Sequence, residues 1–94
     1  AMSVTVHIPS PLRDRTEGAA SVLVPDPGGT VASALEALFE IHPGLRDRLL
    51  TERSRLRPHV ALIVGTENVR TTGGLDTPVD DGSEITVVPA VSGG

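Results

Sequence analysis

The strongest candidate for chemistry in this sequence is the pair of glycines with which it ends, Gly93 and Gly94. Glycine has no Cβ, so two in a row can pass through a channel too narrow for other side chains, and nothing shields the Gly94 carboxylate. A tail of this kind indicates a carboxylate that another enzyme activates. The alternative is an ordinary disordered chain end.

Other reactive side chains occur in arrangements that do not favour catalysis. The three histidines, His7, His42 and His59, are not spaced as metal ligands, and the chain has no cysteine, so we expect no metal site. The neighbouring Asp80 and Asp81 are more typical of a turn than of an acid–base pair.

A third candidate is the segment Gly28-Gly29-Thr30, which precedes a predicted helix and could cradle a phosphate group. It lacks the lysine and the spacing of a P-loop, so we interpret it as a loop followed by the helix N-cap. No catalytic set is complete, and we therefore expect a carrier on which other enzymes act, itself neither an enzyme nor the holder of a bound cofactor.

Composition argues against several other functions. The 94 residues have a net charge of −4, and Phe39 is the only aromatic residue, which disfavours both phosphate-backbone binding and base stacking. Disulfides and thiolate chemistry are excluded by the lack of cysteine. No apolar run approaches the roughly 18 residues of a membrane span, and no signal peptide begins the sequence. We expect a cytoplasmic protein without nucleic-acid or membrane partners.

The chain also has no lysine, and all eight basic residues are arginine. Its side chains therefore offer no amine to which the tail of another copy could be joined. A GC-rich genome, which favours arginine codons, explains the same bias equally well.

The elements that must position the tail follow from the apolar pattern. Period-two alternation predicts a strand over 3–8, with Val4, Val6 and Ile8 buried, and a second strand over 20–24. We expect the two to form a hairpin with a long connection.

A single long helix should follow, with Thr30 as its N-cap. Its apolar residues recur at helical spacing, and His42-Pro43-Gly44 should end it. Those residues are Val31, Leu35, Leu38 and Phe39.

Beyond the helix, Leu45, Leu49 and Leu50 suggest a short second helical piece. The surrounding segment 46–57 holds five of the eight arginines. It is either a solvated face or a surface that docks an acidic partner.

Three further strands are predicted, over 59–64, 68–70 and 84–89. A tight turn over 80–83, with Gly82 in the left-handed position, should begin the last of them, which has Ile85 and Val87 inward.

This order of elements predicts an α+β fold in which one main helix packs on one face of a mixed sheet. The arrangement that fits is the β-grasp, or ubiquitin-like, roll, a single domain over 2–94 with 90–94 as a flexible C-terminal tail. Its first and last strands lie side by side and parallel in the middle of the sheet. On the uncovered face we expect a partner-binding patch. Its residues are His7, Ile63, Val88 and Ala90.

Several short motifs resemble the ThiS/MoaD family of ubiquitin-like sulfur carriers over essentially the whole chain. The segments on which the resemblance rests are Val69-Arg70, Gly73-Gly74-Leu75, Thr77-Pro78-Val79-Asp80-Asp81-Gly82, Ile85-Thr86-Val87 and Pro89-Ala90-Val91-Ser92-Gly93-Gly94. The opening Val4-Thr5-Val6-His7-Ile8-Pro9 and Leu12-Arg13 are similar to the CysO-type subgroup, which serves cysteine biosynthesis.

The resemblance implies a defined cycle. An adenylating enzyme of the ubiquitin-activating type would use ATP to activate the Gly94 carboxylate, which a sulfur donor converts to a thiocarboxylate. Val91, Ser92 and Gly93 would be the tether held by partner active sites. In the CysO-type pathway a pyridoxal-phosphate cysteine synthase accepts the sulfur, using O-phosphoserine, and a metal-dependent peptidase releases cysteine.

The same tail chemistry leaves other functions open. One is the small subunit of molybdopterin synthase, held in a lasting complex with the large subunit. Others are a sulfur donor for thiamin thiazole, thiosugars or other natural products, and a ubiquitin-like protein modifier.

Overall fold

A five-stranded mixed sheet is the frame of the molecule, in a computed structural model that describes residues 3–89. The strands are β1 (Ser3–His7), β2 (Ser21–Pro25), β3 (Val60–Val64), β4 (Glu67–Asn68) and β5 (Glu84–Pro89). Their order across the sheet is β2-β1-β5-β3-β4.

The central pair of strands is β1 and β5, which run parallel with Val6 opposite Ile85. The outer pairings, β1 with β2 and β3 with both β5 and β4, are antiparallel. First and last strands thus lie side by side in the middle of the sheet, and the predicted β-grasp roll is confirmed.

One helix, α1 (Val31–Ile41), covers one face of the sheet. Val31, Leu35 and Leu38 of its predicted stripe are buried, while Phe39 is half-buried at the edge of the core. Val4, Val6, Ile85 and Val87 of the strands, and Ile8 directly after β1, are buried in the core as predicted.

The connection from α1 to β3 combines a 3₁₀ turn (Pro43–Leu45) with the one-turn helix α2 (Arg46–Leu49). Leu45, Leu49 and Leu50 are all buried. These leucines therefore hold the arginine-bearing segment against the core, and its charged side chains face outward.

The predicted strand over 68–70 is wrong beyond Asn68. Val69–Thr71 forms a 3₁₀ turn, in which the Asn68 side chain accepts a hydrogen bond from the Arg70 backbone N–H at 2.9 Å. An asparagine side chain that satisfies the backbone two residues on competes with sheet pairing, and Val69 is buried in the turn.

Further 3₁₀ turns occupy Ser10–Arg15, after β1, and Gly74–Asp76. Among residues 3–89, no helix combines the length and apolar character that a bilayer span requires.

Candidate functional site

The candidate site is the end of the sheet at which β5 stops. Pro89 lies opposite Val60, the first residue of β3, and the chain continues from Pro89 into 90–94. The tail residues predicted to carry the chemistry lie outside the described residues, and their roles stay predictions. They are Ala90, Val91, Ser92, Gly93 and Gly94.

The turn before β5 fixes that strand against β1. Ser83 N–H donates to the Asp80 carbonyl at 3.0 Å, and Gly82 has the predicted left-handed backbone, with φ 83°. The Asp81 carboxylate accepts from Ser3 N–H at 2.8 Å, and Gly82 N–H donates to the Ser3 carbonyl at 2.8 Å. The two aspartates thus lie in a turn, as predicted.

His7, Ile63 and Val88 share the uncovered face of the sheet, as predicted. Ile63 lies opposite Thr86 and Ala61 opposite Val88, so that Ala61, Ile63 and Val88 are neighbours on adjoining strands. Val88 is 40% exposed, although its residue type favours burial. We call Ala61, Ile63 and Val88 the outer patch; it ends one residue before Pro89.

His7 belongs to the polar part of this face. Its Nε2 lies 2.6 Å from a carboxylate oxygen of Glu84, and both side chains are largely open to solvent. An exposed pair of this kind contributes little to folding, but it separates the outer patch from β2.

Two further residues of this face were not among the site residues predicted from the sequence. Glu84 is the partner of His7, and Leu23, on β2, is 65% exposed. The period-two pattern already placed Leu23 outward, because Val22 and Val24 on either side point inward. The contact between His7 and Glu84 depends on the parallel pairing of two strands distant in sequence.

The Gly28-Gly29-Thr30 segment is a helix cap, as interpreted. Thr30 Oγ1 accepts from Ser33 N–H at 3.2 Å, and Ser33 Oγ accepts from Thr30 N–H at 3.1 Å, which makes a reciprocal capping box. Val31 N–H donates to the Thr77 carbonyl at 2.9 Å. Two of the first-turn donors that a phosphate would need, Val31 N–H and Ser33 N–H, are thus used within the chain.

Arginines surround the start of β3. Arg57 Nε donates to the Asp47 carbonyl at 2.7 Å, and Arg70 Nη2 donates to the carbonyls of Arg57 and Val60, each at 2.9 Å. These bonds tie segment 46–57 to the strand that pairs with Pro89. Within residues 3–89, no three histidine or carboxylate side chains converge as metal ligands.

The fold and this end of the sheet define a ubiquitin-like protein whose last strand is central. The chain belongs to the ThiS family, whose model matches residues 6–94.

Relatives that align over nearly the whole chain support this family assignment. The chain is 43% identical to the sulfur carrier protein CysO of Mycobacterium tuberculosis over 96 residues, which cover 99% of this chain and 100% of that protein. It superposes with a TM-score of 0.88 and 40% identity on a chain of the Amycolatopsis orientalis BexX/CysO complex, covering 97% of this chain and 99% of the other.

A more distant likeness is to SAMP1 from Haloferax volcanii, a small archaeal modifier protein. Its crystal structure shares 29% identity and a TM-score of 0.82, with 98% of this chain and 99% of the other covered. The resemblance to ubiquitin-like sulfur carriers, and to the CysO type among them, is confirmed.

Proposed function

We propose that this chain is a sulfur carrier whose Gly94 supplies the reacting C-terminal carboxylate. The observation that carries the proposal is the family match, which runs through to Gly94, together with 43% identity along the full length of a named sulfur carrier. The parallel pairing of β1 and β5 adds support, because it places β5 at the centre of the sheet. Five residues follow Pro89 up to Gly94.

The chemistry begins with activation of a poor acyl donor. A partner enzyme of the ubiquitin-activating type attaches AMP from ATP to the Gly94 carboxylate and releases pyrophosphate. A sulfide equivalent then attacks the acyl carbon and expels AMP, which leaves a thiocarboxylate. Val91, Ser92 and Gly93 are the tether that crosses the partner's channel, where small side chains fit.

The thiocarboxylate sulfur is a soft nucleophile that stays attached to its carrier. We propose that it serves cysteine biosynthesis, with a pyridoxal-phosphate enzyme that uses O-phosphoserine as acceptor and a metal-dependent peptidase that releases the product. ATP and the other cofactors belong to these partners, and the carrier itself acts as a cosubstrate.

The direct test is to incubate the protein with its adenylating enzyme, ATP and a sulfur source and to weigh it intact. We expect a gain equal to one oxygen-to-sulfur exchange, lost when Gly94 is deleted or a residue is added after it. An unchanged mass in the complete mixture would overturn the proposal.

Replacement of the reacting glycine separates chemistry from folding. We expect Gly94→Ala to lose most of the sulfur loading, because a Cβ must now enter the partner's channel, while its thermal unfolding midpoint stays that of the parent. Gly29→Ala is the matched control, since Gly29 has open space around it and should load normally. If Gly94→Ala lowered the melting temperature instead, the tail would be structural.

The likeness to SAMP1 favours a second candidate, a modifier joined to lysines of other proteins. Mass spectrometry of cellular proteins would then find lysines carrying an isopeptide-linked remnant that ends in Gly93-Gly94. If no such lysines are found under conditions in which the thiocarboxylate accumulates, the modifier role is rejected and only the carrier role remains.

A further inference from the structure

Charge is unevenly distributed between the two ends of the sheet. The end opposite Pro89 holds five carboxylates and none of the eight arginines. Those carboxylates are Asp26, Glu67, Asp80, Asp81 and Glu84.

The end at which β5 stops carries a cluster that we call the arginine surface. It consists of Arg46, Arg48, Arg53, Arg55, Arg57 and Arg70. Shallow clefts connect its members, and each cleft combines two arginines with one carboxylate. Arg48 and Arg57 line one with Asp47, Arg53 and Arg57 a second with Glu52, and Arg55 and Arg70 a third with Asp76. Since Arg70 also bonds to Val60, the residue opposite Pro89, the surface adjoins the point where the tail begins.

The chain neutralises this surface only in part. Segment 46–57 contains five arginines against Asp47 and Glu52. Arg46 lies 3.7 Å from the Asp47 carboxylate, but within residues 3–89 no carboxylate lies within 4.0 Å of Arg48, Arg53 or Arg55. All three are exposed. Exposed guanidinium groups that the fold leaves unpaired are available to carboxylates of another molecule.

The reach of the tail decides which molecule meets this surface. Five residues span at most about 18 Å when fully extended. An enzyme that holds Gly94 in its active site must therefore approach the end of the sheet where the arginines lie. A net charge of −4 and one half-buried aromatic residue disfavour a nucleic acid there.

We propose that the arginine surface docks on an acidic protein surface at the mouth of the adenylating enzyme's active site. This inference rests on the proposed function and adds the part of the carrier that the partner recognises. Opposite charges increase the rate of encounter, and the carboxylates at the far end orient the carrier with its tail forward.

The test is steady-state adenylation, followed as pyrophosphate release with the adenylating enzyme from the same organism. We expect the triple variant Arg48→Glu, Arg53→Glu, Arg55→Glu to raise KM for the carrier roughly ten- to a hundredfold, with kcat at saturation nearly unchanged. Added salt should raise KM of the parent but not that of the triple variant. The triple Arg→Lys variant, which keeps the charges, should restore most of the affinity.

Thr66→Glu is the control for added negative charge, because Thr66 is exposed in the turn after β3, at the opposite end of the sheet from Pro89. It should change KM less than twofold, and circular dichroism should show that every variant melts near the parent. A triple Glu variant with unchanged KM, or an equal loss in Thr66→Glu, would overturn the docking inference alone. Failure of the parent itself to be adenylated would overturn the proposed function as well.

A single-stranded RNA oligonucleotide is the probe for the competing class of partner. Fluorescence anisotropy at physiological salt should show no binding. Binding that the triple Glu variant abolishes would replace the acidic protein surface with a nucleic acid.

Discussion

At the scale of single residues, the chain uses its reactive-looking side chains mostly for local structure. Asp81 holds the amide of Ser3, Asn68 caps a turn, and Thr30 exchanges hydrogen bonds with Ser33. Gly28 belongs to the same cap, because a Cβ on it would overlap the Ser33 hydroxyl. These side chains are thus engaged in turns and caps, which fits the proposal that the chemistry of this chain lies at Gly94.

The capping box yields a stability prediction. Thr30→Ala removes the acceptor for Ser33 N–H, and we expect the free energy of unfolding to fall by about 0.5–2 kcal/mol. Urea denaturation measures this change. Thr66→Ala, an exposed position in the turn after β3, should stay within about 0.5 kcal/mol of the parent. Equal stability of the two variants would show that the cap does not stabilise α1.

At the scale of elements, α1 is the one long helix within residues 3–89, and the core depends on its apolar stripe. Leu38 is fully buried there, whereas Glu36 on the same helix faces solvent. Truncation of a buried leucine loses the free energy of transferring its side chain out of water, and it also leaves a cavity that the neighbouring side chains fill only in part.

We therefore expect Leu38→Ala to reduce the free energy of unfolding by about 2–5 kcal/mol. Glu36→Ala, made on the exposed face of the same helix, should change it by less than about 0.5 kcal/mol. Both are read from urea unfolding followed by circular dichroism. A small loss in Leu38→Ala would mean that α1 does not close the core.

At the scale of the whole molecule, two different surfaces border the point where the tail begins. The apolar outer patch lies on the uncovered sheet face, and the arginine surface adjoins Val60 beside Pro89. The opposite end of the sheet is acidic. We therefore expect a partner that takes the tail to meet apolar and cationic groups together, the usual combination of an anchor and an orienting charge.

The outer patch can be tested in the same adenylation assay. We expect Val88→Asp to raise KM for the carrier about tenfold or more, because burying an unpaired carboxylate against a partner is costly. Leu23→Asp is the matched control: Leu23 is more exposed, at 65%, but lies on β2, on the far side of β1 from the patch. Should the Leu23 variant lose as much affinity, docking would involve the whole face.

The sequence by itself determined the layers of the fold and the residues of its core. Alternation at period two and at helical spacing directly records which side chains avoid water, so Val4, Val6, Leu35, Leu38 and Ile85 could be placed. The chemistry proposed for the tail rests on equally local information, the residue types at Gly93 and Gly94, and stays a prediction.

Only the tertiary structure decided what lies beside what. The contact of His7 with Glu84 and the pairing of Ile63 with Thr86 join segments far apart in sequence. The bond from Arg70 to Val60 spans only ten residues, but it depends on how the chain reverses between β3 and the turn after β4. The choice of neighbouring strands creates these contacts, because a local pattern shows which face a residue lies on but not which strand lies beside it. The same holds for the gathering of six arginines around the start of β3, because the charges that share one end of a sheet depend on the direction of every strand.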